Sequence, residues 1–246
     1  MKVLRQCAAE AIATFALVFM GCGAIVVNSV HSGAVGHLGI AVSFGLVVMA
    51  MIYSVGNVSG AHLNPAVTIG FLVAKRIRPI HAAGYVVSQF AGACAGAGLL
   101  GVLLPGNGSL GATSPAGAAW ESLVWEVVLS FFLMFVVLNV STGHFEKGIM
   151  AGVAVGGTVC LAAMVGGPIS GASMNPARSA GPALISGNIK HLWIYLVGPV
   201  AGAFLAPVTC QLIQGHECCE RDVDPKPARE FQAPASDGTP AERCDD

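Results

Sequence analysis

Ser59-Gly60-Ala61-His62-Leu63-Asn64-Pro65-Ala66 returns further along the chain as Ser170-Gly171-Ala172-Ser173-Met174-Asn175-Pro176-Ala177. In both copies Asn stands before Pro at what reads as a helix start, since Asn is a favoured N-cap and Pro a favoured first helical residue. The apolar pieces that follow, about 65–74 and 176–186, are too short to cross a bilayer, which takes about 20 residues. Two half-length helices beginning in matching places of an apolar chain predict re-entrant segments that meet inside a membrane. Irregular backbone survives at that depth only if it is buried in protein or lines a wet cavity.

The surrounding sequence supports the membrane. Hydrophobic residues make up 54% of the chain and charged residues 10%, against about 25% charged in soluble domains. Between Ala11 and Thr209 the charges are Lys75, Arg76, Arg78, Glu121, Glu126, Glu146, Lys147, Arg178 and Lys190. The net charge of -1 offers nothing to a nucleic acid or an anionic partner. Six segments are long enough to span: 6–28, 38–57, 82–104, 121–141, 148–166 and 191–214. The first reads as a retained span, because no small-residue cleavage site follows a clean apolar core.

The order is three spans with a half-helix between the second and third, then the same again. Glu10 and Glu126 match near the starts of the two halves, away from the motifs. An odd number of spans per repeat inverts the second half, so the half-helices enter from opposite faces. The expected fold is an all-α membrane protein: six transmembrane helices plus two re-entrant half-helices in an inverted three-span repeat. Residues 1–214 form the channel domain, with repeats of about 1–112 and 113–214, and 215–246 read as a disordered tail because apolar content is low there. Lys2, Arg5, Lys75, Arg76, Arg78 and Lys147 fall on one side by the alternation of spans. The positive-inside rule makes that side, and both termini, cytoplasmic.

The motif has a definite chemistry. The side-chain oxygen of Asn64 can accept from the half-helix backbone, leaving its amide NH2 as a donor toward a passing solute. Asn175 does the same from the opposite side. Two helix N-termini converge there, and their partial positive charge attracts an oxygen and repels a cation. The loops before each Asn, with Gly60, Ala61, His62 and Gly171, offer carbonyls along the path. No cofactor or metal is expected, and none of the eight cysteines forms a CxxC pair. Cys218 and Cys219, just past the last span, read as unmodified tail thiols. His31 and His37 fall on the outer side, and His81 and His144 on the inner.

Along residues 4–214 the chain resembles the aquaporin, or major intrinsic protein, family. The resemblance rests on Ser59 to Gly70 (SGAHLNPAVTIG), Ser170 to Gly181 (SGASMNPARSAG) and Gly21-Cys22-Gly23. Met49 to Ser54 and Pro168 to Ser179 make it most similar to the nodulin-type intrinsic proteins and their bacterial relatives. Ser179 departs from bacterial glycerol facilitators, which usually have Asp after the motif arginine.

The resemblance implies a passive channel for small neutral solutes and water, assembled as a homotetramer in the lipid bilayer of the plasma (inner) membrane. It implies pore motifs at Asn64, Pro65, Ala66, Asn175, Pro176 and Ala177. It also implies a constriction on the outer side of these motifs, mapping to Phe44, Ala163, Ala172 and Arg178. Water-selective members usually carry His at the position of Ala163. A methyl there, and another at Ala172, predicts an opening wider and less polar than a water filter, with Phe44 as an apolar wall and Arg178 as donor. Glycerol-like polyols, urea and uncharged boric or arsenous acid then come within range. The alternatives are a strictly water-selective channel and, far behind it, a coupled transporter, which would want a carboxylate close to the broken helices. An enzyme has no support.

Overall fold

The computed structural model describes residues 2–141 and 149–214. Eight helices account for most of them: α1 (Lys2–Val30), α2 (Gly36–Ser59), α3 (Pro65–Val73), α4 (Pro79–Leu103), α5 (Ala119–Val140), α6 (Ala151–Ser170), α7 (Pro176–Ser186) and α8 (Leu192–Gln214). All but α3 and α7 are long and apolar enough to cross a membrane. The order long, long, half, long occurs twice, as expected. The tail from 215, with Cys218 and Cys219, lies outside the described residues, as do His144, Glu146 and Lys147.

The helices outrun the apolar segments that announce them. α1 begins at Lys2 and α4 at Pro79, because a helix propagates through polar residues once nucleated. α6 runs to Ser170 and keeps Pro168 inside its last turn instead of ending near 166. α1 widens into a π-turn over Val18–Cys22, which apolar sequence does not reveal.

Large apolar side chains form the outer coat. Ile12, Leu46, Val87, Val102, Phe132, Leu161, Phe204 and Leu212 are all exposed, as befits a surface whose solvent is hydrocarbon.

Without a hydrophobic force between helices in lipid, close backbone approach holds them. α1 lies along α4, α5 along α8, and α2 along α6. A Cβ at Gly92 would run into the Ala11 carbonyl, and one at Gly202 into that of Val127. Gly45 and Gly156 face each other, so that a Cβ on either would sit 2.6 Å from the other's carbonyl oxygen. Each half-helix packs mainly against the last long helix of the other half, α3 on α8 and α7 on α4. Gly181 permits this for α7, where a Cβ would meet Ala93 O at 2.6 Å. The halves are thereby interlocked.

Gly92→Val should lower the thermal midpoint of the detergent-solubilised protein, since overpacking costs about 1–3 kcal/mol where neighbours cannot yield. Gly98→Val, on the same helix with nothing within 4 Å, should leave it unchanged. Equal effects of the two would mean that the α1–α4 approach is not what Gly92 serves.

Candidate functional site

Both motif loops follow one backbone plan. α2 is capped by Gly60 and α6 by Gly171, each in the left-handed region (φ 88° and 86°). Ala61 and Leu63, and likewise Ala172 and Met174, also take positive φ, which is costly for residues with a Cβ. The loops are irregular and buried, so their amides need partners from outside the loops.

Two carboxylates supply them. Glu10 accepts from Ser59 Oγ (2.6 Å) and His62 N (2.9 Å) through Oε1, and from Leu63 N (2.8 Å) and Gln89 Nε2 (2.7 Å) through Oε2. Glu126 accepts from Ser170 Oγ (2.8 Å), Ser173 N (2.9 Å) and Met174 N (2.8 Å). Tyr85 and Tyr195 donate to the carbonyls of Ser59 and Ser170, each at 2.7 Å. The expectation that the carboxylates sit away from the motifs is therefore corrected. A helix rises 1.5 Å per residue, so Glu10 lies about 12 Å in from Lys2 and reaches the loop. Neither carboxylate lines the cavity, so their role is to hold the backbone.

The half-helix starts are capped as expected. Asn64 Oδ1 accepts from Ala66 N at 2.8 Å, and Asn175 Oδ1 from Ala177 N at 3.0 Å and Arg178 N at 3.2 Å. Their amides are not wholly free for solute. Asn64 Nδ2 donates to Met174 O (2.7 Å) and Asn175 Nδ2 to Leu63 O (2.8 Å). These reciprocal bonds tie the loops together and leave one N–H of each amide.

A cavity of about 110 Å³ runs past these groups. That is room for several waters, since one needs about 10–15 Å³. It is lined by the polar loop residues Gly60, Ala61, His62, Asn64, Ser173 and Asn175 and by the apolar side chains of Val48, Leu133, Val137, Val155 and Val159. Phe44, Ala163, Ala172 and Arg178 all line it. Pro65, Ala66, Pro176 and Ala177 do not, and serve as the half-helix starts behind it. Gly171 is also absent from the wall, with its Cα turned toward Thr113.

Arg178 is 2% exposed. Its Nη1 donates to Gly111 O at 2.9 Å, and its Cζ lies 4.9 Å from the Phe44 ring centroid. A cation over an aromatic face gains about 0.5–2 kcal/mol. Two supporting residues were not visible in the sequence reading. Gly111, at φ 73°, lies so close to Cys22 that a Cβ would meet Cys22 Cβ at 2.8 Å. Gly21, in the π-turn, leaves the space that the Phe44 ring fills, with a Cβ falling 2.5 Å from Cδ1. The Gly21-Cys22-Gly23 run was the available signal for the second.

His62 packs against Phe71 (ring centroids 4.6 Å apart) and the edge of Tyr85 (5.1 Å), with Nδ1 3.0 Å from Thr68 Oγ1. In the second loop a hydroxyl cluster replaces it. Ser173 Oγ and Ser179 Oγ share a hydrogen bond, and Thr113 Oγ1 donates to Ser179 Oγ at 2.8 Å.

Glu126→Gln keeps the shape but turns one acceptor oxygen into a donor facing a loop amide. An unsatisfied buried group costs about 1–3 kcal/mol. Osmotic water flux through proteoliposomes should fall severalfold at matched protein density, and wild-type flux would show that Glu126 does not hold the second loop.

The profile of the major intrinsic protein family matches residues 1–209. Aquaporin NIP1-4 of Oryza sativa subsp. japonica is 51% identical over 201 residues, covering 81% of this chain and 73% of the relative. Nodulin-26 of Glycine max is 43% identical over 201 residues, 81% and 74% of the two chains. The solved aquaglyceroporin of Plasmodium falciparum superimposes with a TM-score of 0.75 over 85% of this chain and 95% of its own, at 23% identity, and so attests the fold. The chain belongs to the major intrinsic protein family and is an integral membrane channel for water and small neutral solutes, not an enzyme.

Proposed function

We propose that this channel passes solutes wider than water, and that Phe44, Ala163, Ala172 and Arg178 form the filter that admits them. The observation that carries this reading is the pair of methyl groups: Ala163 and Ala172 both front the cavity beside the Phe44 ring and the Arg178 guanidinium. Two methyls and a ring leave width and an apolar surface for the carbon side of a small polyol. Arg178 and the free N–H groups of Asn64 and Asn175 meet its hydroxyls, and the converging half-helix N-termini repel cations. Glycerol-like polyols, urea and uncharged metalloid acids share that shape and polarity.

The working protein in this reading is residues 1–214, two repeats of about 1–112 and 113–214. Four copies assemble in the plasma (inner) membrane, a reading supported by the family to which the chain belongs. Both termini are cytoplasmic, supported by Lys2, Arg5, Lys75, Arg76 and Arg78. Native mass spectrometry giving only a monomer mass across several mild detergents would remove the tetramer. An N-terminal reporter active only outside the cell would reverse the orientation.

Ala163→His tests the filter. Imidazole narrows the opening and adds a polar group that water can use. A triol that no longer fits leaves hydroxyls unpaired at about 1–3 kcal/mol each. The glycerol-to-water permeability ratio, measured by stopped-flow light scattering, should drop about tenfold or more, a factor of ten being about 1.4 kcal/mol. An unchanged ratio would mean that Ala163 does not set solute size.

A further inference from the structure

Pro168 sits in the last turn of α6. Lacking an N–H, it leaves the Met164 carbonyl without its i+4 partner. The ring of His37, in the first turn of α2, answers that carbonyl: its Nε2 lies 2.7 Å from Met164 O. A carbonyl only accepts, so Nε2 carries the hydrogen. Gly167 makes room for the ring, since a Cβ there would stand 2.9 Å from His37 Cε1.

The turn held in this way carries the cavity wall. Ala163, immediately before Met164, lines the cavity. A Cβ at Gly166 would stand 3.3 Å from the Cβ of Ala172, which lines it too. On the other side of the bond, α2 carries Phe44 about two turns beyond His37. One hydrogen bond thus joins the helix that presents Phe44 to the stretch that presents Ala163. It lies toward one end of the seam whose middle is the Gly45–Gly156 contact.

We propose that His37 is a positioning residue for solute selectivity: the bond from its Nε2–H to the carbonyl that Pro168 leaves open fixes the width between Phe44 and Ala163. This rests on the filter reading above. Without the bond the last turn of α6 relaxes outward, and larger solutes gain more than water does.

The test is a cycle of four variants read by paired glycerol and water flux at matched protein density. His37→Ala should raise the glycerol-to-water ratio about threefold, the low end of coupling between directly bonded groups. His37→Gln, whose amide Nε2 is as many bonds from the backbone as the imidazole Nε2, should restore the wild-type ratio. In a Pro168→Ala background the new amide can donate to Met164 O along the helix, so adding His37→Ala should leave the ratio where Pro168→Ala alone puts it. An unchanged ratio in His37→Ala overturns the inference. So does a shift that His37→Gln shares, or one of equal size in the Pro168→Ala background. If His37→Ala cannot be recovered as folded protein, the double variant decides: recovery with the ratio of Pro168→Ala supports the bond, and failure to recover overturns it. If Ala163→His moves the ratio and His37→Ala does not, the filter stands and this inference falls. If neither moves it, both fall.

Discussion

A polar backbone group at the centre of this molecule has to be satisfied by the protein or by water in the cavity, because hydrocarbon offers it nothing. Glu10 and Glu126 meet that constraint. Each brings a buried carboxylate to a loop that has left helical geometry and accepts two of its amides together with the serine hydroxyl that closes the preceding helix. Each carboxyl group makes three or four such bonds, and these hold the left-handed residues of its loop in place. The loop carbonyls can then stand along the cavity because the amides are engaged behind it.

The halves reach this arrangement by different chemistry. In the first, Gln89 Nε2 bridges Glu10 and Thr68, and His62 fills the space with an aromatic ring. In the second, Ser173, Ser179 and Thr113 form a compact hydroxyl cluster, and Glu126 has one donor fewer. What the halves share is the Asn at each half-helix start with its bond across to the other loop, and the carboxylate, serine and tyrosine that brace each loop from behind. They differ in what packs beside that frame, a ring and an amide in one half and hydroxyls in the other.

Much of this was readable in the chain because it is local. Hydropathy marks the spans within a few residues, and Asn-Pro marks a helix start wherever it stands. The two motifs, once matched, imply opposed half-helices. Contacts between distant residues leave no such trace. Nothing near Glu10 announces Leu63, and nothing near Gly111 announces the Arg178 guanidinium. The π-turn at Val18–Cys22 was hidden for another reason: a slight widening of the helix inside uniformly apolar sequence disturbs no pattern. The register of α6 through Pro168, which brings Ala163 to the cavity, depends on a proline being tolerated in a final turn, where it removes one internal hydrogen bond and no more.

The helix seams are made by backbone meeting backbone, at Gly92 against Ala11, Gly202 against Val127 and Gly45 against Gly156. At those points a carbonyl stands where a Cβ would go, so even one added methyl group would push the helices apart. The side chains of Phe44, Ala163 and Ala172 face the cavity and are not among the atoms nearest those seam glycines. A substitution at a lining position therefore changes the bore without moving a helix, whereas one at a seam glycine moves the helices themselves.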